Sequence, residues 1–422
     1  MTQNKPKIIV AHPGRQHSFR IAKALKESGF LFKYITTVYN KEKSLLMRLI
    51  SPFLSRDNRI RAKKRRCEAL EDEDVILFNE LAGYLLLLVL RMDKSRKVYT
   101  RLNELIRKSF GRKVARYAIK NNVDAVICYD ANAMDCFRLL QKKAPHIIRI
   151  MDHASAPRNY MYKIYQEKME TAGNFKDTYE ASGYILDKEI ADYFGEEIKQ
   201  AEYHIVASGF SEKALLFNNV DKNNIIRVPY GVDNAFFKIG AGKPKSNQLR
   251  VLFVGEINQR KGIYQILEAA KTINSPNIIF NLIGSGKEYK SHLYAEYEPY
   301  VNFMGRVSFE MLKEQYATND IFIFPSMGEG FGLVLLEALA AGLPVIASEN
   351  CAGPDFIING ENGFIIEAGN TLQLQEKILW FYNNPEELSR MSFNAVETAR
   401  RFTWEAYEKK LVNELTLKLT HR

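Results

Sequence analysis

Short, largely apolar runs alternate with amphipathic stretches along most of the chain. Lys7–Ala11, Phe30–Thr37, Ala125–Tyr129, His146–Met151 and Ala201–Ala207 read as strands covered on both faces, and the stretches between them carry helical spacing. Ser18–Ser28 is the first helix, with Ser18 as its N-cap and Gly29 as its stop. After a glycine- and proline-containing polar segment, Gly240–Asn247, the pattern restarts with Arg250–Gly255, Ile278–Gly284 and Ile321–Phe324. Strands that alternate with helices predict an α/β fold of open parallel sheets. The restart predicts two such doubly wound domains, residues 1–238 and 239–422, facing across a cleft at the carboxyl ends of their strands. Lys41–Lys120 breaks the pattern and reads as a helical, basic insertion in the first domain. Its longest apolar stretch, Leu81–Leu90, is far short of the ~20 residues a spanning helix needs and reads as core.

The segment Pro325–Pro344 adds chemistry to that frame. Glu329 lies in the turn Gly328–Gly332, directly after the strand Ile321–Phe324. Glu337 lies in the helix Leu333–Ala341, which Gly342 and Pro344 stop. A strand, a glycine turn and a helix start present unpaired N–H groups and a positive dipole end to an anion, and a diphosphate suits such a site. Arg260 and Lys261 follow the first strand of the second domain, and in a doubly wound sheet that loop opens on the same cleft. Alone, a basic dipeptide at a helix start is a surface feature; facing Glu329 it can neutralise a diphosphate. The net charge of +11 agrees with an anionic partner without choosing among nucleic acid, lipid and phosphorylated small molecules. No nucleic-acid module is visible. The four cysteines show no metal-binding spacing and read as reduced thiols, and the first residues lack a signal-peptide core, which predicts a cytoplasmic protein.

Gly255, Arg260-Lys261-Gly262, Ile283–Gly286, Phe303–Val307, Phe324-Pro325-Ser326, Glu329–Gly332 and Glu337-Ala338 together resemble the glycosyltransferases of family 4, in order and densely over roughly residues 200–405. The resemblance implies the GT-B fold, with two Rossmann-like domains, and transfer of a sugar from a nucleotide-sugar with retention of configuration and without a metal or other cofactor. It implies that Lys261 and Arg260 stabilise the leaving diphosphate, helped by the amides of Gly330, Phe331 and Gly332. Glu329 would hold hydroxyls of the donor sugar and Glu337 those of the ribose. His153, at the end of the strand before Ala154, is similar to the family histidine near the reacting sugar, with Asp152 orienting it or acting on the acceptor. The last helix, about 405–419, would return to the first domain.

Three positions depart from that pattern or leave it open. Glu256 stands where many members carry arginine, so one cation of the phosphate site is missing. Of the glycine-rich loop after the first strand only Gly14 remains; Arg15 and His17 beside it either contact acceptor or phosphate or belong to a plain turn. The basic run Arg56–Arg66 either meets an anionic membrane surface, placing the protein on its cytoplasmic face, or pairs with Glu68, Glu71, Asp72, Glu73 and Asp74. A glycan or lipid-linked acceptor follows from the resemblance. The alternatives are a nucleotide-sugar epimerase of the same architecture and a catalytically silent, membrane-associated partner.

Overall fold

The computed structural model describes residues 5–14, 17–41, 65–93, 96–178, 187–237 and 247–420. Arg15, Arg56–Lys64 and the linker as far as Ser246 lie outside the described residues, as does the division at 238/239.

Two parallel sheets carry the chain. The first is formed by β1 (Ile8–Ala11), β2 (Leu31–Thr36), β3 (Val75–Leu77), β4 (Ala125–Tyr129), β5 (Ile148–His153), β6 (Tyr203–Val206) and β7 (Ile225–Arg227), in the order β3-β2-β1-β4-β5-β6-β7. The second is formed by β8 (Leu249–Val254), β9 (Ile278–Ile283), β10 (Val301–Gly305), β11 (Ile321–Phe324), β12 (Val345–Ser348) and β13 (Gly363–Ile366), in the order β10-β9-β8-β11-β12-β13. In both, the order reverses beside the first strand, which opens a crevice at the carboxyl ends. The central strands are apolar on both faces because helices cover both.

The helices of the first half are α1 (Ser18–Ser28), α2 (Glu80–Met92), α3 (Lys97–Lys120), α4 (Met134–Lys143), α5 (Arg158–Glu167), α6 (Lys188–Ile198) and α7 (Gly209–Phe217). Those of the second half are α8 (Ile263–Ile273), α9 (Phe309–Thr318), α10 (Leu333–Ala340), α11 (Thr371–Asn383), α12 (Pro385–Ala399) and α13 (Trp404–Thr420). α1 buries Ile21, Ala22, Ala24 and Leu25 and closes on Gly29 in the left-handed region, as its sequence requires. Its cap is His17, however, and not Ser18. The Ser18 hydroxyl is buried 3.0 Å from the Tyr34 hydroxyl and so is not used on the helix N-terminus.

Two further expectations are corrected here. Lys41–Lys120 is not wholly an insertion outside the sheet, because Val75–Leu77 pairs with Tyr34–Thr36 as its edge strand. Leu81–Leu90 is not core: Leu81, Leu85 and Leu88 are exposed. α2 rests on Thr37 and Val38 through Gly83 and packs on α3, and these contacts do not bury it. Among the described residues no helix is long and apolar enough to cross a membrane.

α13 leaves the second half and packs on α1 of the first. Tyr407, Leu411 and Leu415 are buried, and Lys23 Nζ lies 2.8 Å from Glu408 Oε2.

Candidate active site

The loop after β8 and the loop after β11 are pressed against each other. A Cβ on Gly262, whose φ is +72°, would stand 2.0 Å from the Pro325 carbonyl oxygen, so only glycine allows this approach. The Arg260 carbonyl accepts from the Met327 amide at 2.9 Å and from the Ser326 hydroxyl at 3.0 Å. These bonds bring Arg260 and Lys261 to Glu329. Arg260 Nη1 and Lys261 Nζ both lie 2.5 Å from Glu329 Oε2, and Lys261 also sits over the Phe324 ring at 4.7 Å. Burial alone would raise the Glu329 carboxyl, but the two cations outweigh it and hold the group at about 2. Burial pulls Lys261 below the usual lysine range even with Glu329 beside it. Glu256 stays at the site: its Oε2 is 3.7 Å from Arg260 Nη2, one helical turn away in sequence.

These groups form one wall of a cavity of about 500 Å³ between the two halves. Phe331, Gly332, Leu333 and Val334 continue that wall into the start of α10, where Gly332, at φ +89°, caps the helix without a side-chain bond. His17, Ala154, Tyr230 and Trp404 form the opposite wall. His17 Nε2 lies 2.7 Å from Asp152 Oδ1 and 3.1 Å from the Tyr230 hydroxyl. Burial disfavours charge on His17, but the Asp152 carboxylate more than offsets this, and the imidazole is raised above its usual value.

Residues 236–398 match the model for "Glycosyl transferases group 1". An uncharacterized glycosyltransferase of Methanocaldococcus jannaschii is 34% identical over 157 residues, 36% of this chain and 44% of that protein. The capsular polysaccharide biosynthesis glycosyltransferase CapM of Staphylococcus aureus is 29% identical over 191 residues, 41% of this chain and 50% of that protein. The chain thus spans about half the length of the curated relatives it matches. Among solved structures, a glycosyltransferase from Rickettsia africae superimposes with a TM-score of 0.64 at 16% identity, over 99% of this chain and 100% of its own. The Anabaena protein HepE in complex with UDP-glucose gives 0.61 at 15% identity, over 98% and 100%.

The fold is GT-B.

Within this GT-B frame the structure brings together Arg260, Lys261, Glu329, Phe331 and Gly332, sets His17 across the cavity from them, and keeps Gly14, Gly330, Glu337 and His153 off the cavity wall. Gly330 lies just behind it, where a Cβ would come 2.8 Å from the Ser155 Cα, and its carbonyl accepts from the hydroxyls of Ser208 and Ser211. Glu337 sits one turn beyond Leu333 and Val334 and accepts from the Tyr316 hydroxyl at 3.0 Å; burial raises its carboxyl. Gly14 donates its amide to His12 Nδ1 at 2.9 Å, and burial holds His12 near 4, hence neutral.

His153 is buried, with Nε2 3.0 Å from His204 Nδ1, and burial pushes both rings down. The expected Asp152–His153 unit does not form. Adjacent strand residues face opposite sides of the sheet, so Asp152 points to His17 while His153 points to His204. The aromatic partners Tyr230 and Trp404 were not singled out from the sequence for this wall. Their signal is Gly231, whose Cβ would lie 2.2 Å from the Trp404 amide nitrogen. The two segments cross there at backbone contact.

Proposed function

We propose that the chain is a retaining, metal-independent glycosyltransferase of family 4. It would move a sugar from a nucleotide-sugar to a glycan or lipid-linked acceptor at the cytoplasmic face of a membrane. The observation that carries this reading is the meeting of Arg260, Lys261 and Glu329 in front of α10, on the wall of a cavity shared by both halves. It is supported by the similarity to a capsular polysaccharide glycosyltransferase and by the shared fold with a protein crystallised with UDP-glucose. We assign residues 1–238 to the acceptor side and 239–422 to the donor side.

In this reading the donor diphosphate lies against Arg260 and Lys261, and the amides of Gly330, Phe331 and Gly332 add donors. As the bond between the anomeric carbon and the phosphate oxygen breaks, its electron pair goes to the diphosphate, and the two cations stabilise the growing charge. The acceptor oxygen attacks from the same face and its proton passes to the departing phosphate oxygen. Glu329 exchanges one of its cations for hydroxyls of the donor sugar and Glu337 takes the ribose hydroxyls, while His153, buried against His204, stays behind the wall and supports it without touching the sugar. His17, held by Asp152, belongs to the acceptor side. Glu256 is tolerated because Arg260 partly neutralises it.

Thermal shift with UDP-, GDP- and dTDP-sugars should select one donor class, since a bound donor stabilises the closed cleft. With that donor, Lys261→Ala is expected to lower nucleotide release roughly 10²–10³-fold. Lys261→Ala and Glu329→Ala proteins that match the wild type on every donor would end the transferase reading and leave the silent-partner alternative.

A further inference from the structure

α2 is an apolar helix that the described residues cover only in part. From Leu81 to Leu90 it contains only Leu, Ala, Gly, Tyr and Val, yet Gly83 is its sole buried residue among those described. Leu81, Leu85, Leu88 and Met92, spaced by four, three and four, are 72%, 50%, 55% and 74% exposed and form one continuous stripe. α3, which packs against α2, adds Val98 and Leu105, seven residues apart and 59% and 67% exposed. A helix apolar on nearly every side is ordinarily buried, so something outside the described chain must cover this one.

Charge identifies the occupant. Residues 96–120 hold nine lysines and arginines against a single acid, Glu104. Arg96, Lys97 and Arg101 are exposed at the end of α3 that carries Val98. We infer that the α2–α3 pair is a docking surface for an anionic lipid bilayer, with the leucine stripe seated among the acyl chains and these cations at the headgroups. α2 has 13 residues and is about 20 Å long, short of the ~30 Å hydrocarbon core, so it lies in the interface and does not cross it. A second copy is a poorer occupant, because a two-fold contact on this face would set one basic α3 near another.

The helix is also placed to matter for the cleft. Gly83 rests on Thr37 and Val38, where a Cβ would come within 2.9 and 2.8 Å, and the Thr37 hydroxyl donates to the Pro13 carbonyl. Pro13 belongs to the loop that leads into His17. A bilayer under α2 therefore meets the rim on the acceptor side of the cavity. This last step rests on the transferase reading; the docking surface does not.

Flotation of the full chain with phosphatidylcholine vesicles, with and without phosphatidylglycerol, tests the surface without turnover, so its failure is distinct from failure of the transferase reading. The wild type should float with the anionic vesicles. The triple variant Leu81→Gln/Leu85→Gln/Leu88→Gln, changed only at exposed positions, should lose roughly tenfold or more in partition at an unchanged Tm. Lys97→Glu/Arg101→Glu should weaken binding mainly at low salt. A Leu85→Cys protein carrying an environment-sensitive dye should shift to the blue on anionic vesicles. A triple variant that floats like the wild type, or a wild type unbound by both vesicles, overturns the inference. So does a wild-type dimer that the triple variant converts to monomer, since the stripe would then belong to a second copy.

Discussion

Glu329 faces two cations at once, and that governs what a change there does. In Glu329→Gln the buried Lys261 and Arg260 lose the carboxylate they share, and Glu256 reaches only Arg260, so stability should fall by about 3 kcal/mol in urea unfolding. Inorganic pyrophosphate should restore part of this loss, because it can take the place of the carboxylate between the cations. The pH dependence has a definite sign. The folded carboxyl, held at about 2, lies below its ordinary value of 4.5, so its contribution is complete above 4.5 and is lost as pH falls toward 2. Lys261 is charged in both states across that window and adds no slope. The stability difference between wild type and Glu329→Gln should therefore shrink steadily below pH 4.5; a difference that stays constant down to pH 2 contradicts the pairing. His17 behaves oppositely. Its raised value means a contribution present below the unfolded 6.5 and lost as pH rises through the folded value. NMR titration should put the His17 imidazole above 6.5 in the wild type. In Asp152→Asn it should fall below 6.5, because burial then acts without the carboxylate.

At the scale of elements, α13 is the test of how the chain closes on itself. Leu411 and Leu415 are buried between α13 and the rest of the chain, and Glu408 holds Lys23 of α1. Leu411→Ala should cost about 2–5 kcal/mol, read by urea unfolding. Gly231→Ala should loosen the crossing of the β7 exit over Thr403–Trp404, and limited proteolysis should then cut the chain near residue 403 before it cuts elsewhere. Elements of this kind were readable in the chain because local pattern determines them. Ala125–Tyr129 and Ile321–Phe324 are strands over the very residues their apolar runs mark, and α13 runs from Trp404 to Thr420 where 405–419 was expected. The loop pairing of Arg260 and Lys261 with Glu329 was also readable, since topology alone puts the loops after β8 and β11 on one edge. What was not readable depends on side-chain direction and on contacts far apart in sequence. Asp152 reaches His17 across 135 positions, and nothing in the local pattern of Ile148–His153 says which of Asp152 and His153 faces α1. The exposure of α2 was hidden for the same reason: an apolar run looks alike whether a core or a bilayer covers it.

Taken whole, the molecule joins its two sheets through more than the cleft. One apolar cluster extends from Ile8 and Val10 in the first sheet to Val251 and Phe253 in the second. Phe175, which lies between β5 and β6 in sequence, leaves the first half and packs against Tyr264, Tyr294 and Tyr297 at ring distances of 5.7, 5.1 and 6.0 Å. Polar bonds flank it: the Thr178 hydroxyl accepts the Gln259 amide at 2.9 Å, and Gln265 Nε2 donates to the Thr171 carbonyl at 2.7 Å. This strap ends at the residue before Arg260, so it fixes the cation loop as well as the sheets. Its loss should uncouple the halves before it unfolds either one. The wild type should show a single calorimetric transition with matching van't Hoff and calorimetric enthalpies. Phe175→Ala, which removes about 3–5 kcal/mol of packing from the shared region alone, should split it, with calorimetric enthalpy exceeding the van't Hoff value. Donor addition should merge the two transitions again, because a ligand held by both walls of the cavity restores the coupling that the ring supplied. If Phe175→Ala instead lowers one unsplit transition, the halves are coupled through α13 and the β7 crossing, and the combined Leu411→Ala change must then produce the split that the single change did not.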